Sequence, residues 1–193
     1  MSEFVTKYPD GLKRCSWPKQ DQTYIEYHDT EWGVRLEGEK ELFEKLSLEA
    51  FQAGLSWITI LKRREGFRKA FHGFQIPKVA KMTDKDIERL MQDERIIRNR
   101  TKIQATITNA RLILKMDQPL SSLIWSHAPK RATGPNSKFE FKATTPESIA
   151  LSKTLRSLGF SFVGPTTMYA MMQSIGMVND HAPGCFRRDQ LRD

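Results

Sequence analysis

The 193-residue sequence contains only two cysteines and no apolar run long enough to cross a membrane as a helix. Its first residues, MSEFVTKYPDGLKR, lack the apolar block that a secretory signal peptide requires. These absences exclude a disulfide-rich secreted scaffold and a membrane protein, and they predict a cytoplasmic protein with reduced thiols. Cys15 and Cys185 are therefore expected either to bind a metal or to be free thiols.

Positive charge exceeds negative charge, with 31 lysines and arginines against 23 acidic residues and a net charge of +8. Such a balance favours polyanionic partners, and nucleic acid is the first candidate. One cluster is Lys62, Arg63 and Arg64. A second lies between Glu94 and Lys115 and comprises Arg95, Arg98, Arg100, Lys102, Arg111 and Lys115. The two clusters indicate either a binding surface or solvated helix faces.

Helical periodicity dominates the sequence. Ile103, Ile107, Ala110 and Leu114 recur at spacings that place them on one face of a helix. Other apolar stripes are formed by Leu151, Leu155 and Leu158, and by Leu42, Phe43, Leu46 and Phe51 within a helix predicted over 39–53. A hydrophobic content of 39% is enough to give these helices a common core.

Capping residues predict where several helices begin and end. Thr145 is a predicted N-cap before Pro146, and Gly159 follows the last turn of the same helix. Further boundaries are predicted at the Thr83 and Asp86 capping box, at Gly54, at Gly164 with Pro165, and at Gly176. We interpret the methionines of the last helix as core residues.

Alternation typical of a strand occurs only in the short segment KFEFKA, residues 138–143. A loop is predicted over 129–136, which contains two prolines and a glycine, and no internal repeat is present. We therefore predict an all-α fold in one body spanning residues 1–193.

Each cysteine has a histidine near it in the sequence. Twelve residues separate Cys15 from His28, and three separate His181 from Cys185. Two sulfur and two nitrogen ligands suit tetrahedral zinc, and a site filled by four protein ligands is structural rather than catalytic. The alternative is that His181 caps a helix and Cys185 is a free thiol. Two aspartates beside the histidines are candidates for orienting the imidazoles: Asp29 and Asp180.

A short basic segment from Asp93 to Ile107 joins two predicted helices. Such a turn, with the start of the second helix, presents backbone N–H groups to a phosphate, and arginine and lysine add charge attraction. The segment fits either a helix-hairpin-helix element that grips DNA without reading its sequence, or an ordinary helix connection with solvated arginines.

Six motifs in this order resemble the bacterial 3-methyladenine DNA glycosylase I family: RCSW (14–17), YHDTEWG (27–33), LEAFQAGLSWITILKRRE (48–65), IIRNRTKIQATITNA (96–110), GFSFVGPT (159–166) and VNDHAPGC (178–185). The resemblance implies a helix-hairpin-helix lobe over 39–128 and a terminal lobe formed by 12–38 and 140–187. It also implies a structural zinc ion that joins the two chain ends through Cys15, His28, His181 and Cys185.

The same resemblance implies an activity and its residues. The family hydrolyses the N-glycosidic bond of 3-methyladenine in alkylated double-stranded DNA, which leaves an abasic site in base-excision repair. Glu49 corresponds to the carboxylate that reads the base, Tyr27 and Trp57 to stacking walls, and Trp17 and Trp32 to residues that complete the pocket. Zinc is the only cofactor implied, and a monomer is expected.

Contacts with the DNA duplex are assigned to a further set of residues. Leu55 is a candidate for filling the space that the extruded base leaves, with a core role as the alternative. Arg98, Arg100 and Lys102 are expected to hold phosphates.

The sequence departs from the family pattern at a few positions. Arg95 and Thr101 stand in the hairpin where family members often have glycine, and Ala50 with Phe51 follows Glu49. Asp117 carries no recognisable motif, so we expect base binding to matter more than a strong general base. Two competing hypotheses are a DNA-binding protein that no longer excises bases and a protein-interaction domain with a basic surface.

Overall fold

The computed structural model of the protein describes residues 4–130 and 142–191. Eleven α-helices lie within these ranges: α1 (Gln22–Thr30), α2 (Glu39–Gln52), α3 (Trp57–Leu61), α4 (Arg64–Ala70), α5 (Ile76–Ala80), α6 (Asp84–Leu90), α7 (Arg100–Ile113), α8 (Leu120–Trp125), α9 (Pro146–Ser157), α10 (Pro165–Ser174) and α11 (Phe186–Gln190). Most of the segment 138–143 and most of the loop 129–136 lie outside the described residues. Among those described, no helix has the length and apolar character to span a membrane.

A two-stranded antiparallel sheet precedes the helices, and the sequence analysis did not predict it. Strand β1 (Val5–Lys7) pairs with β2 (Lys13–Cys15), with Val5 opposite Cys15. Three-residue strands are too short to display alternation, which is why the period-two pattern was absent there. The fold is mostly helical, and this hairpin corrects the all-α prediction locally.

Observed caps confirm the predicted helix boundaries. The Thr145 side chain accepts a hydrogen bond from the Ser148 backbone N–H, and Pro146 lies in the first turn of α9. Thr83 and Asp86 form the capping box of α6. The ends of α2 and α10 are followed by Gly54 and Gly176, both with positive φ. Short-range capping chemistry therefore determined where these helices begin and end.

The predicted apolar stripes are buried, except at the last positions of the stripes on α7 and α9. Ile103, Ile107 and Ala110 of α7 are buried, whereas Leu114 is 55% exposed. Leu158, at the end of the stripe on α9, is also exposed. Both leucines are C-cap residues, where the chain leaves the helix and its buried face.

The core is centred on α2, which packs against α3, α7, α8 and α10. Nine of its residues are buried, including two that are normally charged, Lys45 and Glu49. Two phenylalanines of α2 belong to a buried cluster of aromatic rings: Phe43, Phe51, Phe67, Phe71 and Phe74. Packing on several sides holds α2 in place, and side chains from its second half reach a cavity.

Candidate active site and metal centre

An aromatic cavity of about 200 Å³ lies between α1, α2, α3 and α10. Its lining consists of Trp17, Tyr24, Tyr27, Trp32, Glu49, Gln52, Trp57, Ala170, Gln173 and Ser174. All five residues assigned to the base pocket from the sequence are therefore in one cavity. Aromatic walls with a few convergent polar groups are typical of sites for small planar ligands.

Glu49 is the only acidic side chain in the lining of this cavity. It lies in the last turns of α2 and is 3% exposed. Burial raises the pKa of Glu49 to about 7, while the charge of Lys45 and a hydrogen bond with Ser174 lower it. A carboxylate in this setting is a strong hydrogen-bond acceptor, and a cation entering the cavity would stabilise its charged form.

The aromatic rings are tilted against one another rather than stacked as a block. The ring centroids of Tyr27 and Trp57 are 5.5 Å apart at 45°, and those of Trp17 and Trp32 are 5.1 Å apart at 76°. The indole Nε1 of Trp57 is buried and has no hydrogen-bond partner among the described residues. The cavity thus offers π faces that attract cations and one N–H donor.

Tyr24 and Lys45 were not predicted from the sequence, and neither were four further residues of the lining: Gln52, Ala170, Gln173 and Ser174. Tyr24 lines the cavity one helical turn before Tyr27. Lys45 precedes Glu49 by one turn of α2, and its ammonium lies behind the rings of Tyr27 and Trp57. Spacings of three and four residues on a helix are the only sequence pattern that would have found them.

The four predicted metal ligands are brought together from the two ends of the chain. Cys15, His28, His181 and Cys185 are all buried, and their ligand atoms lie within 4.8 Å of one another. The Nε2 atom of His28 is 3.2 Å from Nδ1 of His181 and 3.5 Å from Sγ of Cys185. Tetrahedral zinc, with bonds of about 2.0–2.1 Å to nitrogen and about 2.3 Å to sulfur, places its ligand atoms at similar separations.

Hydrogen bonds outside this cluster determine which imidazole nitrogens face it. Nδ1 of His28 lies 2.7 Å from Oδ1 of Asp29, and Nε2 of His181 lies 3.1 Å from the carbonyl oxygen of Trp32. Carboxylate and carbonyl oxygens accept hydrogen bonds, so Nδ1 of His28 and Nε2 of His181 carry the N–H groups. The lone pairs of the other ring nitrogens therefore point into the cluster. Two facing lone pairs cannot hydrogen-bond to each other, whereas both can bind one cation.

Asp29 has the predicted orienting role, whereas Asp180 does not contact His181. The Asp180 carboxylate instead accepts hydrogen bonds from the Tyr169 hydroxyl and from the Gln173 side chain. These hydrogen bonds orient the Asp180 side chain towards α10. Adjacency in sequence to His181 does not determine the direction of the side chain.

The chemistry of the two sulfurs also fits a metal ion. Both cysteines are free thiols and buried. The neighbouring sulfur of Cys185, followed by burial, raises the pKa of Cys15. Two thiolates so close together are unfavourable without a cation between them, and a divalent metal would stabilise both. The residues present fit a structural metal site.

Leu55 and the hairpin residues have different environments. Leu55 is 41% exposed in the loop between α2 and α3, which excludes the alternative core role. Arg98 is exposed and lies 3.7 Å from Glu94, a loose ion pair. Arg100 is also exposed, but its guanidinium makes two 2.7 Å hydrogen bonds to Glu88. Of the two arginines, Arg98 is the more available to a phosphate.

Lys102 does not have the environment predicted for a phosphate contact. It is buried, and its ammonium donates hydrogen bonds of 2.8 Å and 2.6 Å to the carbonyl oxygens of Phe51 and Ala53. These carbonyls are at the end of α2, where no helical N–H remains to bind them. Lys102 therefore holds the start of α7 against the loop that carries Leu55.

One residue of the second basic cluster, Arg95, lies in a groove with Lys62 and Arg63 of the first cluster, and among the described residues Lys69 and Glu65 also line it. Lys62 is paired with Asp21, and Arg95 is paired with Asp93. Asp117 lies elsewhere, in an apolar groove with Leu112, Leu123 and Phe160, and not in the aromatic cavity.

Comparison with known proteins agrees with this arrangement. A model of the methyladenine glycosylase family matches residues 17–188. The chain is 51% identical over 180 residues to DNA-3-methyladenine glycosylase 1 of Escherichia coli (strain K12). The alignment covers 90% of this chain and 96% of that protein. Identity to a DNA-3-methyladenine glycosylase of Haemophilus influenzae is 46%, over 89% of this chain and 96% of that protein.

Solved structures of 3-methyladenine DNA glycosylase I share the fold. One crystal structure has a TM-score of 0.85 at 47% identity and covers 90% of this chain and 98% of that chain. A Staphylococcus aureus structure, described as the structural basis of 3-methyladenine recognition, has a TM-score of 0.84 at 35% identity, covering 91% and 96%. The chain therefore belongs to the methyladenine glycosylase family.

Proposed function

We propose that this protein is a DNA-3-methyladenine glycosylase, a hydrolase that releases 3-methyladenine from alkylated DNA and leaves an abasic site for base-excision repair. The observation that carries the proposal is the enclosure of one carboxyl group, Glu49, by aromatic rings in a cavity. Such a cavity favours a planar cation over a neutral base of the same shape.

The reaction follows from the charge of the substrate. Methylation at N3 makes the nucleotide base a cation, so its bond to the sugar is already weak. When the C1′–N9 bond breaks, its electron pair goes to the base, which leaves neutral. Water then adds to the sugar cation and loses a proton to solvent. We assign Glu49 to accept a hydrogen bond from the amine edge of the base, and Tyr27 and Trp57 to stack against it. Trp17 and Trp32 complete the walls.

The base must leave the duplex to reach this cavity. Extrusion costs a few kcal/mol, and less where damage has weakened pairing. We propose that exposed Leu55 fills the vacated space and that Arg98 holds a phosphate beside it. Arg100 would join it only by giving up its pair with Glu88.

We further propose that the segment between α6 and α7 acts as a helix-hairpin-helix element within a lobe of residues 39–128. Asn99 caps α7 by accepting a hydrogen bond from the backbone N–H of Lys102. The start of this helix and its N–H groups would then be presented to the DNA backbone.

We assign the four-residue cluster to a structural zinc ion that joins the segments 12–38 and 140–187. Cys15, His28, His181 and Cys185 would hold it, and it would supply folding energy rather than a reaction step. The proposed partner is duplex DNA with alkylated bases, bound by a monomer. The relatives named above are bacterial, and in a bacterium this DNA lies in the cytoplasm, where we expect the reaction.

The experiment that tests the function is incubation of the protein with duplex DNA treated with a methylating agent. Released bases are separated by chromatography, and we expect 3-methyladenine to be released while 7-methylguanine is retained. A protein that binds this DNA but releases no base would instead support the competing DNA-binding hypothesis. Absence of DNA binding at low salt would support the protein-interaction domain.

A further inference from the structure

Lys45 is a buried lysine that the proposed reaction does not use. It is 9% exposed and lies on α2 one turn before Glu49. Its Nζ is 3.4 Å from the Tyr27 hydroxyl oxygen, a long hydrogen bond. The same atom is 5.0 Å from the ring centroid of Tyr27 and 5.2 Å from that of Trp57. These two rings line the cavity and Lys45 does not, so the ammonium is placed behind the wall.

The carboxylates around Lys45 are not equivalent. Glu31 is bound by Arg64 at 2.8 Å, and Glu44 is bound by Arg68 at 2.8 Å. Among the described residues, Glu49 makes no close ion pair with either an arginine or a lysine, and it is only 3% exposed. Lys45, one helical turn before it on α2, is the cation whose charge acts on Glu49 through space.

Other groups near Glu49 do not supply a positive charge. From α1 the phenols of Tyr24 and Tyr27 face it, and from α10 the Ser174 hydroxyl does. The ammonium of Lys102, on α7, instead donates hydrogen bonds to the carbonyl oxygens at the end of α2. Glu39, at the opposite end of α2, accepts hydrogen bonds from the start of α8.

We propose that Lys45 is a positioning residue for the carboxylate of Glu49: its buried ammonium supplies the counter-charge that favours the ionised form of Glu49 while no cationic base occupies the cavity. This inference rests on the proposed function, since it concerns the same site. The proposal gives a role to the ammonium of Lys45, whose burial would otherwise only cost free energy of folding.

The charge balance of the reaction explains why such a counter-charge is useful. Before cleavage the cationic base neutralises Glu49, but afterwards the base is neutral because it has taken the C1′–N9 electron pair. Lys45 is present in both states and also in the empty site. Burial alone favours protonated Glu49, which no longer offers two acceptor oxygens to the amine edge of the next base.

The direct test is an NMR pH titration of the Glu49 side-chain carboxyl carbon, assigned by comparison with Glu49→Gln. In Lys45→Met, which keeps the length of the side chain but removes its charge, we expect the titration midpoint to rise by about one pH unit. Lys45→Arg, which restores the charge, should keep the midpoint of the unmodified protein. Lys40→Met is the matched control, because Lys40 is an exposed lysine at the start of the same helix.

A second measurement is the single-turnover release of 3-methyladenine from about pH 5.5 to about pH 9. The acid limb for Lys45→Met should move upward with the NMR midpoint, with the rate recovering at alkaline pH. A purely structural role would lower the rate equally at every pH. Should Lys45→Met not fold, Lys45→Gln takes its place in both measurements.

Unchanged NMR midpoints in the neutral variants, or an equal shift in Lys45→Arg, would overturn the role of Lys45. Failure of the unmodified protein to release base at any pH would instead overturn the proposed function. The NMR titration needs no activity, so the two failures are distinguishable.

Discussion

At the scale of single residues, Glu49 is held by its surroundings near the balance between its charged and neutral forms. Burial raises its pKa to about 7, far above the usual range of a glutamate. The faces of the aromatic rings cannot donate hydrogen bonds to a carboxylate as water does, but they attract a cation placed beside it. The site is consequently expected to respond both to pH and to the charge of whatever enters it.

Excision should therefore depend on the ionisation of Glu49. Below its pKa the carboxyl is protonated and accepts fewer hydrogen bonds, so we expect the single-turnover rate, measured at enzyme concentrations too low to saturate the DNA so that it reports the empty site, to rise through about pH 7. Glu49→Gln should lower the rate by about 10- to 100-fold, the equivalent of a lost hydrogen bond to a charged group, and should abolish this acid limb.

Asp117→Asn is the control for this prediction, because Asp117 lies outside the aromatic cavity. It should leave both the rate and the pH profile unchanged. The reverse result, with Asp117→Asn inactive and Glu49→Gln active, would contradict the assignment of Glu49.

The sequence predicted the contents of the cavity through the combination of its motifs rather than through any single residue. Trp17, Tyr27, Trp32, Glu49 and Trp57 come from separated segments, and each alone is more typical of a core or a surface. Lys45 could not be predicted, because a lysine on a helix is normally solvated. Its burial depends on the packing of the two rings above it, which is a tertiary property.

At the scale of elements, the loop after α2 and the start of α7 form one unit. Lys102 connects them through the carbonyls of Phe51 and Ala53, and Leu55 projects from the connected loop. The predicted caps and stripes of the individual helices were largely correct, because local chemistry determines them. Lys102 was expected to hold a phosphate, and its contacts with these carbonyls were not predicted, since charge alone does not reveal which helix end lacks hydrogen-bond partners.

The connection between α6 and α7 yields a prediction about DNA affinity. Arg98→Ala should weaken binding to duplexes of different sequence alike, since a phosphate contact carries no sequence information. The slope of log affinity against log salt concentration should become less steep by about one. Fluorescence anisotropy over a salt series measures both quantities.

Lys153→Ala is the matched control for Arg98→Ala, since Lys153 is an exposed cation on α9. It should change the slope little. An equal slope for Arg98→Ala and the unmodified protein would remove Arg98 from the DNA interface.

At the scale of the whole molecule, the cluster of Cys15, His28, His181 and Cys185 connects the chain ends to the wall of the cavity. Trp32 contributes its ring to the cavity and its carbonyl oxygen to His181. On the other side, Arg14 is bound by Asp10 and Asp29, and Asp29 contacts His28. The ligand set was predictable from spacing and resemblance, whereas the hairpin of β1 and β2 that carries Arg14 and Cys15 was not.

This arrangement predicts that metal loss destabilises the molecule globally and loosens the cavity wall. Cys185→Ser removes one thiolate from a buried four-ligand site, so we expect bound zinc to fall from about one per chain to near zero. The melting temperature should fall by about 10 °C or more, because metal-binding energy contributes to folding at such sites. A strong chelator should lower the melting temperature of the unmodified protein in the same way and leave that of Cys185→Ser unchanged.

His72→Gln is the control, because His72 is exposed and outside the cluster, and it should retain both metal and stability. If protein prepared without added metal contains none, and a chelator leaves its melting temperature unchanged, the chain ends are joined by packing and hydrogen bonds alone.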